Sequence, residues 1–164
     1  MHEDHAFEAE AQRLLQMIVS GGQTGVDRAA LDVAMSRGIR VSGWCPQGRR
    51  AEDGAIDPRY PLQETPSDEY AERTAWNVRD SDGTLILLYD RSSPGTTRTI
   101  EEVHMQGKPM LLVNLTLFPE LIDTAGWIET NQIRVLNVAG PRESEAPGVY
   151  VEACAYLEEL FGSQ

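Results

Sequence analysis

Three short stretches of the chain hold the residue types from which an anion site can be built. The first, "GGQTGVDR", sets Gly21, Gly22 and Gly25 around Gln23 and Thr24, with Asp27 and Arg28 just beyond. The second, "SSPGTTRTIEE", carries Gly95, Thr96, Thr97, Arg98 and Thr99. The third, "NVAGPRESEAPG", carries Gly140 and Arg142. Glycine lets a ligand approach the backbone with no Cβ in the way. If the first turn opens a helix, the N–H groups of Gln23 to Asp27 point outward at its positive end, where a phosphate is stabilised. Thr24, Thr97 and Thr99 would add hydroxyl donors, Arg98 a cation and Arg142 a bidentate grip. Asp27 suits the helix dipole but would repel an anion set too near. The spacing is neither GxGxxG nor GxxxxGK[ST]. Read alone, the first turn fits a phosphate loop and a tight structural turn equally well.

Each stretch has to sit where a strand hands over to a helix. Met17 to Val19 is a short apolar run ahead of the first turn, and Ala30, Leu31, Ala34 and Met35 then share one helical face up to Gly38, a C-terminal stop. "IRVSGWCP" reads as the next strand, closed by Pro46, and "QGRRAEDGAIDPRYPLQETP" lacks periodicity and reads as a long loop. "SDEYAERTAWNVRD" reads as a helix with Ser67 as N-cap. "GTLILLYD" and "PMLLVNL" read as strands buried on both faces of a parallel sheet, joined by the helix "TIEEVHMQGK" with Gly107 near its end. "FPELIDTAGWIETNQ" reads as a helix broken at Gly126, "IRVLNVAG" as a fifth strand, and "PGVYVEACAYLEELF" as the last helix.

This alternation predicts an α/β fold: an open parallel-sheet, Rossmann-like three-layer sandwich of about five main strands with helices on both faces. Ligands of such sheets bind beyond the carboxyl ends of the strands, so the three turns should gather at one edge. One such turn is ambiguous. Three converging ones, two with arginine, point to a phosphate-bearing ligand.

Length and charge set further bounds. The 164-residue chain is expected to form one domain over residues 17–164, behind a polar lead-in at residues 1–16 that ends as a short helix in Leu14 and Leu15. A net charge of −12 opposes phosphate backbones and argues against a nucleic-acid partner, so an anionic ligand has to be captured locally. No directly ligated metal is expected. Cys45 and Cys154 lack zinc spacing and read as buried or half-buried thiols, and His2 and His5 read as solvated at a terminus. No apolar run approaches the roughly 20 residues of a membrane span, and no secretory signal pattern is present. A cytoplasmic protein with no membrane partner is expected.

The turns resemble those of the SLOG superfamily of Rossmann-like proteins, which includes the Lonely-Guy (lysine-decarboxylase-like) phosphoribohydrolases, DNA-processing protein A and YpsA. Those hydrolases carry a GGxxGLM turn, a helix with a catalytic arginine ahead of an SDA-plus-strand segment, and PGGxGTxxE. "GGQTGVD" is similar to the first. In "AERTAWNVRDSDGTLILL", Arg73 falls on the arginine, eight positions before Ser81. "PGTTRTIEE" is similar to the third and puts Glu102 on the catalytic glutamate, with Thr96 and Arg98 where the motif has glycines. The unit "IRVLNVAGPRESEAPGVYVEACAYLEELF" comes first in the hydrolases and last here, as a circular permutation produces. From Met17 onward the chain resembles the circularly permuted YpsA-related family, whose members are named as molybdenum carriers. "GWCPQGRRAEDGAIDPRYPLQETPS" and "NVAGPRESEAPGVY" carry that likeness.

The resemblance and the residues together imply two kinds of function. A binding protein would hold the molybdenum cofactor (molybdopterin, a pterin phosphate) or a nucleotide, with the phosphate on residues 21–25 and 95–99. Arg142, with Arg49 or Arg50, would add charge-assisted bonds worth ~1.5–3 kcal/mol each, and Trp44, Trp76 or Tyr60 would cover a flat ring. A hydrolase would instead cleave the N-glycosidic bond of a nucleoside 5′-monophosphate. Glu102 would stabilise positive charge at C1′ or activate a water, and Arg73 would steady the phosphate or the departing base. The bland alternatives are first-turn helix chemistry for Glu102 and pairing with Glu69 or Glu72 for Arg73. A nucleotide sensor would use the same pocket. The altered loop glycines weigh toward a binder rather than an enzyme. Relatives of this fold pair through helices, so a homo-oligomer, dimer or tetramer, is expected, with the faces around residues 70–78 and 98–106 as seams.

Overall fold

Short runs of Val, Ile and Leu between glycine-bearing turns build a sheet, and amphipathic segments between them build its cover. The computed structural model describes residues 14–90 and 93–162; His2, His5 and the expected N-terminal helix up to residue 13 lie outside the described residues, and Leu14 and Leu15, its expected end, are not helical. The chain runs β1 (Met17–Val19), α1 (Val26–Ser36), β2 (Arg40–Ser42), β3 (Trp44–Cys45), β4 (Arg50–Ala51), β5 (Gly54–Ala55), β6 (Gln63–Glu64), α2 (Tyr70–Arg79) and β7 (Gly83–Leu88). It continues through α3 (Pro94–Gln106), β8 (Met110–Asn114), a 3-10 turn (Leu115–Leu117), α4 (Leu121–Thr130), β9 (Val135–Ala139) and α5 (Val149–Gly162).

Five strands form the main sheet in the order β2-β1-β9-β7-β8. Every pairing in it is parallel, with Ile18 opposite Val41 and Leu136, and Leu85 opposite Val138 and Leu111. Leu85 and Leu87 join a core with Ala30 and Ala34 of α1, Ile128 of α4, and Ala153 and Leu157 of α5. Ile86, between them, points to the other face, as the two-residue period of a strand requires. There α2 packs on α3, with Val78 and Val103 buried. Helices therefore flank the sheet on both sides, and the Rossmann-like arrangement holds.

Four local expectations are corrected. β8 is an edge strand, so Leu112 is 44% exposed rather than buried on both faces. α4 runs unbroken through Gly126, because burial of Thr124 and Ile128 outweighs the roughly 1 kcal/mol that a mid-helix glycine costs. Met35 is 39% exposed, the buried stripe of α1 running through Ala29, Ala30, Val33 and Ala34 instead. α2 starts at Tyr70; Ser67 lies upstream, its Oγ accepting from the Glu69 N–H at 3.0 Å while Glu72 accepts from the Ser67 N–H at 3.0 Å.

"IRVSGWCP" is two strands. Gly43 breaks it with φ +143°, and a Cβ there would lie 2.1 Å from the Ser20 carbonyl oxygen. Beyond the break, β3 leaves the main sheet and pairs with β6, and β4 pairs with β5 as a small antiparallel ribbon. The segment read as a loop, residues 47–66, thus contributes Ala51, Ile56, Tyr60 and Leu62 to a core of its own, packed with Cys45 of β3 on Leu31 of α1.

Candidate functional site

Parallel strands aim their carboxyl ends the same way, and a cleft of about 260 Å³ opens beyond β1, β9 and β7. It sits just below the roughly 300–1,000 Å³ usual for small-molecule sites. Gly21, Gln23 and Asp27 line it after β1; Gly95, Arg98 and Thr99 after β7; Gly140 and Arg142 after β9. Arg73 comes in from α2. The three turns do converge. Tyr70, Thr74, Asn77, Asn137 and Glu145 also line the cleft and were not singled out from the sequence. A signal for them exists: residues 70, 73, 74 and 77 follow the i, i+3, i+4, i+7 stripe of one helix face, and Glu145 lies one turn past Arg142.

The arginines are arranged around two features. Arg73 Nη1 donates to the Gly21 carbonyl at 3.0 Å and lies 3.5 Å from Asp27 Oδ2, with both side chains only about a tenth exposed. Its partner is therefore across the cleft floor and not Glu69 or Glu72 of its own helix. A Cβ on Gly21 would stand 2.1 Å from Arg73 Nη1. The second feature is the Tyr70 ring, which has the guanidinium carbons of Arg50, Arg73 and Arg142 at 4.8, 5.1 and 5.6 Å from its centroid. Arg142 also pairs with Glu145 at 2.9 Å. α3 opens at the cleft with Pro94 in its first turn and Ser93 as N-cap, accepting from the Thr96 N–H at 3.3 Å, and Arg98 stands exposed one turn in. That end carries the positive pole of a 13-residue helix.

The first glycine turn differs in part from its expectation. Three of the N–H groups from Gln23 to Asp27 face protein acceptors: Gln23 N–H donates to Asp27 Oδ2 at 3.3 Å, Thr24 N–H to Gln23 Oε1 at 3.0 Å, and Val26 N–H to the Pro141 carbonyl at 3.3 Å. Gly22 packs against Leu62 and Ile56, and Gly25 against the Pro141 carbonyl. The Thr24 hydroxyl donates to Glu52 and accepts from the Glu143 N–H at 3.1 Å. Gly140 passes within contact of Leu87 and Val26. In the second turn the Thr97 and Thr99 hydroxyls donate back to the Ser93 and Gly95 carbonyls at 3.2 and 3.1 Å, and Thr96 is buried.

Other residues named from the sequence lie elsewhere. Glu102 is not among the residues lining the cleft, and its carboxylate accepts from Gln106 Nε2 at 2.8 Å. Arg49 donates to the carbonyls of Ile56, Asp57, Tyr60 and Leu62, holding its segment together. Arg50 donates to the Asp68 carbonyl beside Tyr70. Trp44 and Trp76 pack edge to face at 4.7 Å, and Tyr60 is buried. The aromatic ring in the cleft is Tyr70 instead.

Two carboxylates respond to this setting in opposite directions. Burial pushes the Asp27 carboxyl above its ordinary range, against the pull of Arg73 and the Gln23 N–H. Glu52 goes the other way: although partial burial opposes it, hydrogen bonds from Ser144 and Thr24 hold its carboxyl below the usual range. Among the described residues no group of three or more His, Cys, Asp and Glu side chains is placed to hold a metal ion. Likewise among the described residues, no helix is long and apolar enough to cross a membrane.

Comparison with known proteins bears on the family and the fold. The model of the circularly permutated YpsA SLOG family matches residues 18–161. A solved structure, the "putative molybdenum carrier protein" of Syntrophus aciditrophicus SB, is 40% identical, with 91% of this chain and 96% of that one covered and a TM-score of 0.85. None of the curated proteins matches the chain.

Proposed function

The chain belongs to the circularly permuted YpsA family of the SLOG superfamily, and from that premise we propose that it binds a small phosphate-bearing molecule of the pterin-cofactor or nucleotide class. The observation that carries this reading is local charge. In a chain of net charge −12, Arg73, Arg98 and Arg142 come from three separate segments to one cleft, together with the N-terminus of α3. Arg73 and Arg142 share the Tyr70 ring with Arg50 and are each matched by one carboxylate, Asp27 and Glu145, so Arg98 and the start of α3 leave the cleft with an excess of positive charge for charge-assisted hydrogen bonds to an anion.

The solved relative is named as a carrier of molybdenum, and on that ground we add the molybdenum cofactor to the ligands to test. The fit lies at its phosphate end, where the arginines stand, and the metal would travel as cargo on the pterin. Tyr70 is the ring a flat ligand would meet. Hydrolysis is the weaker reading, because Glu102 lies away from the cleft lining and is engaged by Gln106.

Native mass spectrometry of the freshly purified protein, followed by denaturation to identify released molecules, tests the proposal. The expected result is a stoichiometric phosphate-bearing adduct, or, for protein purified bare, saturable uptake of adenosine 5′-monophosphate or inorganic phosphate that Arg98→Ala and Arg142→Ala each weaken about tenfold. Bare protein that takes up neither probe contradicts it.

A further inference from the structure

Asp27 is a carboxylate on the floor of a cleft that also holds Arg73, Arg98 and Arg142, with Glu145 as the other acid. Its side chain is about a tenth exposed, and its Oδ2 lies 3.5 Å from Arg73 Nη1 and 3.3 Å from the Gln23 N–H. Those are two of the donors that a bound anion would need. The groups facing Asp27 can be named element by element. Arg73 reaches it from α2 and Gln23 from the first turn. From its own helix Arg28 acts at longer range, being bound to the Gly22 carbonyl and to Asp53. On the far wall Arg142 is matched by Glu145.

Resting on the anion-binding reading above, we propose that Asp27 couples capture of an anion to uptake of one proton. The carboxylate that faces Arg73 without a ligand becomes a carboxylic acid that donates to the bound anion. The proton comes from solvent, an O–H bond forms on Asp27, and no other covalent bond changes. Two negative charges sharing Arg73 in a water-poor floor repel strongly. The neutral acid removes that repulsion and adds an O–H donor of the strong, charge-assisted kind. Burial already favours that neutral form, and an anion that draws Arg73 away favours it further. Affinity is therefore highest at low pH, falls by at most about tenfold per pH unit as the pH rises between the ligand-free and ligand-bound titration points, and levels off above the second.

The test is calorimetric titration of the full chain with inorganic sulfate, which does not itself titrate, in buffers of different ionisation enthalpy from pH 5 to 8. Proton uptake on binding is expected for the native protein and not for Asp27→Asn, and at pH 8 that variant should bind sulfate about tenfold or more tightly than the native protein. Sulfate binding with no proton uptake, or with the same uptake in the variant, overturns the coupling and leaves the anion site standing. Absence of sulfate binding overturns both. Carbon-13 NMR of the Asp27 carboxyl in the native protein, titrated with and without sulfate, tests the same coupling without a variant: a titration point raised by sulfate supports it, and an unmoved one contradicts it.

Discussion

Gly21 and Gly22 are neighbours in one turn but are glycine for different reasons. Gly21 leaves room for Arg73, since its Cβ would meet the movable end of that side chain at 2.1 Å. Gly22 has φ +76°, and its Cβ would meet Leu62 and Ile56 of a packed core at 2.6 and 3.0 Å. Gly21→Ala should therefore still fold, with a stability loss of about 1.5–3 kcal/mol from the displaced Arg73, and weaken sulfate binding about tenfold. Thermal melts and calorimetry check the two halves; unchanged affinity would separate Arg73 from the site. Gly22→Val should cost about 2–4 kcal/mol through strain and overpacking, so its loss of binding would be uninformative. Asp27 gives a pH signature at this scale. Its folded carboxyl titrates above the unfolded value of 3.8, so the native state holds more protons in that window and stability falls as pH rises through it. Asp27→Asn should be more stable than the native protein at pH 7, by urea denaturation, and the two should converge below about pH 4. A variant less stable at both pH values would contradict the assigned shift.

At the scale of elements, the sheet and its helices were legible because periodicity is a local signal: "GTLILLYD" could hardly be anything but a central strand. The segment from Gln47 to Thr65 was not legible. Its order rests on contacts made at a distance, above all Arg49, at φ +53°, gathering four carbonyl groups from residues 56–62. No pattern of neighbours announces an arginine that replaces a strand's hydrogen bonds. Glu52 then ties this segment to two cleft turns, accepting from Thr24 and from the Ser144 N–H and hydroxyl. Arg49→Ala should lower stability by about 1.5–3 kcal/mol and speed hydrogen exchange most in residues 50–64. Uniform loss of protection, with no bias to that segment, would argue against its role as the local organiser.

For the whole molecule, the convergence of three turns at one sheet edge was readable from strand–helix alternation alone, because parallel topology forces it. The roles inside the cleft were not. Pairing of Arg73 with Asp27 joins α2 to α1 across the sheet edge, and crowding of Arg50, Arg73 and Arg142 on Tyr70 joins three distant segments. On the proposed reading, those contacts shift anion capture from the glycine turn, three of whose N–H groups face protein acceptors, toward the arginines and the start of α3. The measurement that tests this most directly is a nitrogen-15 amide NMR titration of the protein with inorganic phosphate and with adenosine 5′-monophosphate. Saturable shifts centred on Gly21, Gln23, Gly95, Arg98, Thr99, Gly140 and Arg142 are predicted. Shifts that fail to saturate, or that cluster away from the three turns, would contradict anion capture by this cleft.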